Sequence, residues 1–226
     1  MPYKPSPSTL KAGLPSNRFS CARCFWLKVV KGIRQPDMSG LGKIHHDIHD
    51  WIYEYLKQQW IAILPRGRLI ETELKIKARP VHGVQLWGYL DALIQLDDGG
   101  YAIMDIKTTT NTKWVVKNYA LQVNVYRHCL ENAEESYPDY APIKRLGLLT
   151  FSGYRFGVNS PQTAGIVGSL QWHEVTKDER MVGKAIGEVL PVLRSSTPPE
   201  SSKDCEWCKY ARLRGDLSQC RIPTSV

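Results

Sequence analysis

Apolar residues at Ile44, Ile48, Trp51, Ile52, Tyr55 and Leu56 follow helical spacing and predict a helix from Leu41 to Trp60 with one continuous apolar stripe. Strand-like runs then cover Leu69 to Ala78, Val84 to Leu96 and Tyr101 to Lys107, and the turn Asp97-Asp98-Gly99-Gly100 joins the last two into a β-hairpin. A second long helix spans Thr112 to Asn132. Strands near Arg145 to Phe151 and Gly168 to Trp172 follow, and then a helix from Lys177 to Leu193. Ahead of all these, Pro5, Ser6, Pro7 and Ser8 read as turn formers, and Cys21 to Lys28 as a short amphipathic helix. This order predicts an α/β fold: a mixed central sheet flanked by helices, with a parallel crossover where a helix lies between strands.

With 226 residues, 42% of them hydrophobic, the chain can bury one sizeable core. The expected organisation is a single elaborated domain over 1–226, with a core at 41–194 and a cap made of 1–40 and 195–226. Lysine and arginine total 30 against 22 aspartates and glutamates, and the formal net charge of +8 favours a polyanionic partner such as nucleic acid. Basic residues gather at Lys28, Lys31 and Arg34, at Lys75, Lys77 and Arg79, and at Lys209, Arg212 and Arg214, among aromatics such as Trp26, Trp87, Trp207 and Tyr210. That mixture suits a single strand, whose phosphates pair with cations while its bases stack. No apolar run is long enough to cross a bilayer, and Met1-Pro2-Tyr3-Lys4-Pro5 lacks the apolar region of a signal peptide. A cytoplasmic chain with no membrane partner is therefore expected.

Candidate chemistry sits on the hairpin. Its first strand carries Gly88-Tyr89-Leu90-Asp91 and its second Asp105-Ile106-Lys107, so the turn folds Asp91 and Asp105 toward each other across neighbouring strands. Alternation puts Asp105 and Lys107 on one face and leaves Ile106 to offer its carbonyl. Hard cations take carboxylate, carbonyl, water and phosphate oxygens, and Asp91, Asp105 and the Ile106 carbonyl supply such a set. Lys107 would orient or deprotonate an attacking water, and the reaction would be phosphodiester hydrolysis. The same residues also fit a bland arrangement, a turn-capping Asp91 beside an exposed Asp105–Lys107 ion pair. On the second long helix, Gln122 and Tyr126 share one face. On the first, helical projection puts His45 nearest the apolar stripe, His49 next and His46 farthest.

Taken in order, these motifs resemble the RecB-like branch of the PD-(D/E)XK nucleases. The elements are Gly-x-x-x-His over Gly42 to His46, Gly-x-x-Asp over Gly88 to Asp91, (Asp/Glu)-x-Lys over Asp105 to Lys107, and Gln-x-x-x-Tyr over Gln122 to Tyr126. The resemblance implies a restriction-endonuclease-like fold and a deoxyribonuclease dependent on Mg²⁺ or Mn²⁺, acting as an exonuclease on single-stranded DNA. It places His46, Asp91, Asp105 and the Ile106 carbonyl on the metal, Lys107 on the water, and Gln122 and Tyr126 toward the active site and the DNA. It also implies a protein partner in a recombination, repair or CRISPR adaptation complex.

The six cysteines, in a reducing compartment, are metal ligands or buried small hydrophobes rather than disulfides. Cys21 and Cys24 form one C-x-x-C pair and Cys205 and Cys208 another, at opposite ends of the chain, as in a four-thiolate metal site; spacing does not choose between zinc and iron–sulfur. Cys129 stands apart and reads as a packed side chain. The N-terminal Cys21-Ala22-Arg23-Cys24-Phe25-Trp26 resembles the Cys-Pro-Arg-x-Phe-Tyr element of the iron–sulfur branch of the family, which includes CRISPR-associated exonucleases and the AddB nuclease domain. That resemblance implies a [4Fe–4S] cluster held by Cys21, Cys205, Cys208 and Cys220, joining the two ends. The extra Cys24 and the long gap from Cys208 to Cys220 leave open a set in which Cys24 replaces Cys21 or Cys220.

Overall fold

Gly99 and Gly100 both take positive φ, 82° and 75°, and a Cβ on Gly100 would come within 2.8 Å of the Pro142 carbonyl oxygen. Only glycine fits that corner without strain. It joins β2 (Trp87–Leu96) to β3 (Tyr101–Thr108) as an antiparallel hairpin. The structure is a computed structural model and describes residues 2–15, 20–33, 42–109, 111–160 and 162–213.

Around this hairpin the described residues form one five-stranded sheet. β1 (Gly67–Lys77) pairs antiparallel with β2. β4 (Ile143–Ser160) runs parallel to β3, and β5 (Thr163–Val175) runs antiparallel to β4, giving the order β1-β2-β3-β4-β5. Parallel neighbours need a crossover, and α4 (Val115–Glu131) supplies it. The result is the mixed sheet flanked by helices that the element order predicts, and it agrees with the restriction-endonuclease-like fold that the resemblance implies.

Both faces of the sheet are covered, which explains the unbroken apolar runs Ala92-Leu93-Ile94 and Ala102-Ile103-Met104 in its central strands. On one face α1 (Pro7–Gly13), α2 (Ala22–Val30), α4 and α5 (Met181–Leu193) contribute Leu10, Phe25, Val123, Leu130, Ile186 and Val189 to a core with Ile103 and Leu148. On the other, α3 (Gly42–Gln58) packs Ile48, Ile52, Tyr53 and Leu56 against Ala92, Ile94, Met104 and Ile106. Each such leucine, isoleucine, valine, phenylalanine or methionine side chain, fully buried, contributes roughly 1.5–3 kcal/mol.

Four local expectations change. The predicted stripe on α3 is only half used: Trp51 is 59% exposed and Tyr55 48%, while Tyr53 is buried. The helix presents a narrower face to the sheet than the apolar positions span, and Trp51 and Tyr55 instead line a groove of about 290 Å³ with Ile166 and Leu170. β4 and β5 run well beyond the predicted segments, because their outer halves pair with each other without a covering helix and leave Phe156 and Val158 exposed. The Pro/Ser turn signal near residue 6 starts α1: the Ser6 side chain caps it by accepting from the Thr9 N–H, with Pro7 in the first turn. α4 begins at Val115 rather than Thr112, since Thr109 and Asn111 side chains accept the N–H groups of Asn111 and Lys113 and hold a turn there.

Candidate active site and cysteine cluster

The hairpin places Asp91 and Asp105 together as its alternation requires. Asp91 accepts a hydrogen bond from the Ile106 N–H at 2.7 Å, so the first carboxylate is anchored to the backbone beside the second. Asp105 is completely buried. Its Oδ1 accepts from the Gln122 amide at 3.0 Å, and its Oδ2 lies 2.6 Å from the Lys107 ammonium. The Gln122 amide also donates to the Tyr126 hydroxyl at 2.8 Å. Gly88 makes room for this: a Cβ there would stand 3.0 Å from the Tyr126 ring and 3.3 Å from Pro7.

Electrostatics in this cluster are strained toward neutrality. Burial pushes the Asp105 carboxyl up to about 7 even though Lys107 pulls it down, and Asp91 adds to the rise. Asp91 is raised by burial as well. Burial works against the charge on Lys107, but Asp105 and Asp91 overrule it and hold the ammonium above its ordinary range. Two carboxylates and one lysine leave a surplus of negative charge in a low-dielectric site, the condition that invites a cation.

A third element enters from β1. Glu73 falls between the register pairs Thr72–Ala92 and Leu74–Leu90, hence beside Asp91. Its φ of 50° is unusual for a non-glycine strand residue. The Tyr53 hydroxyl donates to the Glu73 carboxylate at 3.1 Å. Ligand atoms of His49, Glu73 and Asp91 all lie within 4.8 Å of one another. Burial, with Lys107 nearby, lowers the His49 pKa and favours the neutral imidazole, the form that binds metals.

His46 does not join this group; it is exposed on α3. The glycine spacing selects His46, but the rotation of the helix points His49 inward, and His45 instead contacts the Thr108 hydroxyl. Glu73 escaped the sequence reading because an acid on a strand facing water looks the same as one facing a site. Its only signal is its register opposite Asp91.

In a second cluster, Cys21, Cys24, Cys205 and Cys208 converge, and their sulfurs all lie within 4.8 Å of one another. They form the donor set of a soft-metal site. Burial opposes charge on Cys21, yet hydrogen bonds from the Cys24 and Ser202 backbone and from the neighbouring thiols bring its pKa down to about 7. Burial and the charge of Cys21 push Cys24 up to about 12. Cys220, expected as a ligand, lies outside the described residues. Cys129 is buried in the core against α4's neighbours.

The basic groups are partly committed. Lys77 pairs with Glu134 at 2.5 Å, and Lys31 lies over the ring of Trp26. Arg34 and Arg214 lie outside the described residues. A basic aromatic patch not foreseen stands at the start of α4, where Lys113 and Lys117 both lie over the ring of Trp114, which is 49% exposed. Among the described residues no helix is long and apolar enough to cross a membrane.

Residues 34–213 match the family model of the PD-(D/E)XK nuclease superfamily. Among solved structures, the chain resembles that of SSO0001 with a TM-score of 0.52 at 17% identity, covering 94% of this chain and 84% of that one. No curated protein matches it.

Proposed function

The chain belongs to the PD-(D/E)XK nuclease superfamily, and from that membership we propose that it is a Mg²⁺- or Mn²⁺-dependent deoxyribonuclease that removes nucleotides from single-stranded DNA ends. The observation that carries this reading is the unit in which Asp105 is held at once by Lys107 and Gln122, beside the anchored Asp91. Carboxylate oxygens with one imidazole suit a hard divalent cation. We assign His49, Glu73 and Asp91 to hold it, together with Asp105 and the Ile106 carbonyl; His49 here takes the role that the motif gives to His46. Such a cation, when bound, polarises the scissile phosphate and eases ionisation of water.

The remaining work falls to the chain's own side chains. Lys107, kept as an ammonium by its acidic neighbours, donates rather than accepts protons; it orients the attacking water and stabilises charge developing on the phosphate oxygens. Gln122 fixes the rotamer of Asp105, and Tyr126 fixes that of Gln122. Trp114, half exposed with Lys113 and Lys117 over its ring, brings an aromatic ring for an unpaired base together with two cations for the adjoining phosphates, the mixture that favours a single strand.

Cleavage of end-labelled single-stranded DNA with Mn²⁺ tests the reading. Asp105→Asn and Lys107→Ala should each lower the rate by about a hundredfold or more while circular dichroism stays that of the wild type. Wild-type rates in both variants would reject the assignment. A wild-type protein that binds DNA and never cleaves it would mark a non-catalytic binding module instead.

A further inference from the structure

The two C-x-x-C pairs are built alike. Cys21 is the N-cap of α2 and Cys24 lies in its first turn. Cys205 immediately precedes α6 (Glu206–Leu213) and Cys208 lies in its first turn. In each helix the first backbone bond closes on the leading cysteine, from Phe25 N–H to the Cys21 carbonyl at 3.0 Å and from Lys209 N–H to the Cys205 carbonyl at 2.9 Å. Two helix N-termini therefore present four sulfurs to one point.

The sulfur spacing discriminates between occupants. Cys21 lies 3.8 Å from Cys24 and 3.6 Å from Cys208, and Cys24 lies 3.7 Å from Cys205 and 3.6 Å from Cys208. A tetrahedron of thiolates around one zinc ion, with Zn–S near 2.3 Å, has edges of about 3.8 Å. A [4Fe–4S] cubane puts a separate iron behind every thiolate and bridging sulfides between them, so its cysteine sulfurs must stand well apart. The gap between these sulfurs admits one ion and no cubane. The surrounding framework supports this spacing independently of any metal: Arg23 donates to the Pro199 carbonyl at 3.2 Å and the Trp26 indole to the Ser195 carbonyl at 3.1 Å, tying α2 to the segment that leads into Cys205.

We infer that Cys21, Cys24, Cys205 and Cys208 form a structural site for a single zinc ion. The inference departs from the resemblance to the iron–sulfur branch in both metal and ligand set, with Cys24 in the place given to Cys220. Among single ions at four thiolates, zinc outranks ferrous iron in affinity. A closed four-cysteine sphere leaves no position for substrate, so the ion holds the chain ends and takes no part in hydrolysis.

The test uses the full chain, purified without added metal and analysed for zinc, iron and acid-labile sulfide, with cobalt exchanged into the site as a spectroscopic probe. The expected result is one zinc per chain, no labile sulfide, and a cobalt form with the visible bands of tetrahedral thiolate coordination. Cys220→Ser should keep the full zinc content, Cys24→His should keep it, and Cys24→Ser should weaken zinc retention against a chelator at least tenfold. Iron with labile sulfide overturns the inference, as does zinc lost in Cys220→Ser, or a chain that retains no zinc at all. Should Cys24→Ser fail to fold, the wild-type metal content and Cys220→Ser still decide. None of these readouts is nuclease activity, so they stand or fall apart from the carboxylate site.

Discussion

Glu73 sits in a backbone conformation that its side chain pays for, with φ of 50°, next to Asp91 and His49. A non-glycine residue held there carries strain of about 1–3 kcal/mol, and the observed position beside two further ligand atoms supplies a reason to keep it. Glu73→Gly should therefore leave the cation-free protein as stable as the wild type or more so, while raising the Mn²⁺ concentration for half-maximal cleavage about tenfold or more. Denaturant melts and metal titrations on one preparation check both halves; a variant that loses stability and keeps its metal affinity contradicts the placement. By the same logic His49→Ala should raise the Mn²⁺ requirement about tenfold or more and His46→Ala should not, because only His49 faces Asp91. At this scale the sequence was readable where spacing and pleat act together: Asp105, Lys107, Gln122 and Tyr126 are joined by hydrogen bonds and one ion pair, and Asp91 is anchored beside them on the Ile106 N–H. It was unreadable where the choice depends on helix rotation, as among His45, His46 and His49, or on cross-strand register, as at Glu73.

Among the elements, α4 links two tasks, since its first turn follows Trp114 and its middle carries Gln122. Trp114→Ala should raise KM for single-stranded substrate about fivefold or more, the loss of a stacking contact of about 1–3 kcal/mol, and leave kcat near the wild-type value. A fall in kcat at unchanged KM would show that the ring supports the helix rather than the strand. The long periodic elements were legible from their patterns because burial on one face enforces them: α3, α4 and the β2–β3 hairpin all lie close to their predicted spans. The outer β4–β5 ribbon was not, because no opposing layer imposes alternation on Phe156, Val158 or Val167, which remain exposed. The short helices α1 and α6 were also missed. One opens on turn-forming residues, and the other spans only eight residues, too few for its amphipathic spacing to stand out beside a C-x-x-C pair.

At the scale of the whole molecule, the buried carboxylate couples stability to pH. The Asp105 pKa rises from 3.8 in the ordinary carboxyl to about 7 in the fold. Between those values the folded chain binds more protons than the unfolded one, so this group stabilises the fold at low pH and loses that contribution as pH climbs toward 7. In chelated protein, the wild type should thus lose stability relative to Asp105→Asn as pH rises through this window, and saturating Mg²⁺ should shrink the difference. Parallel denaturation midpoints for the two proteins would show otherwise. The cysteine pairs bind the molecule together across a sequence separation of 187 residues between Cys21 and Cys208. At a synthesis rate of about 5–20 residues per second, the second pair emerges roughly 10–40 s after the first. The two halves of the cap consequently cannot meet until synthesis has passed Cys208, and a chain released before that point carries half a site.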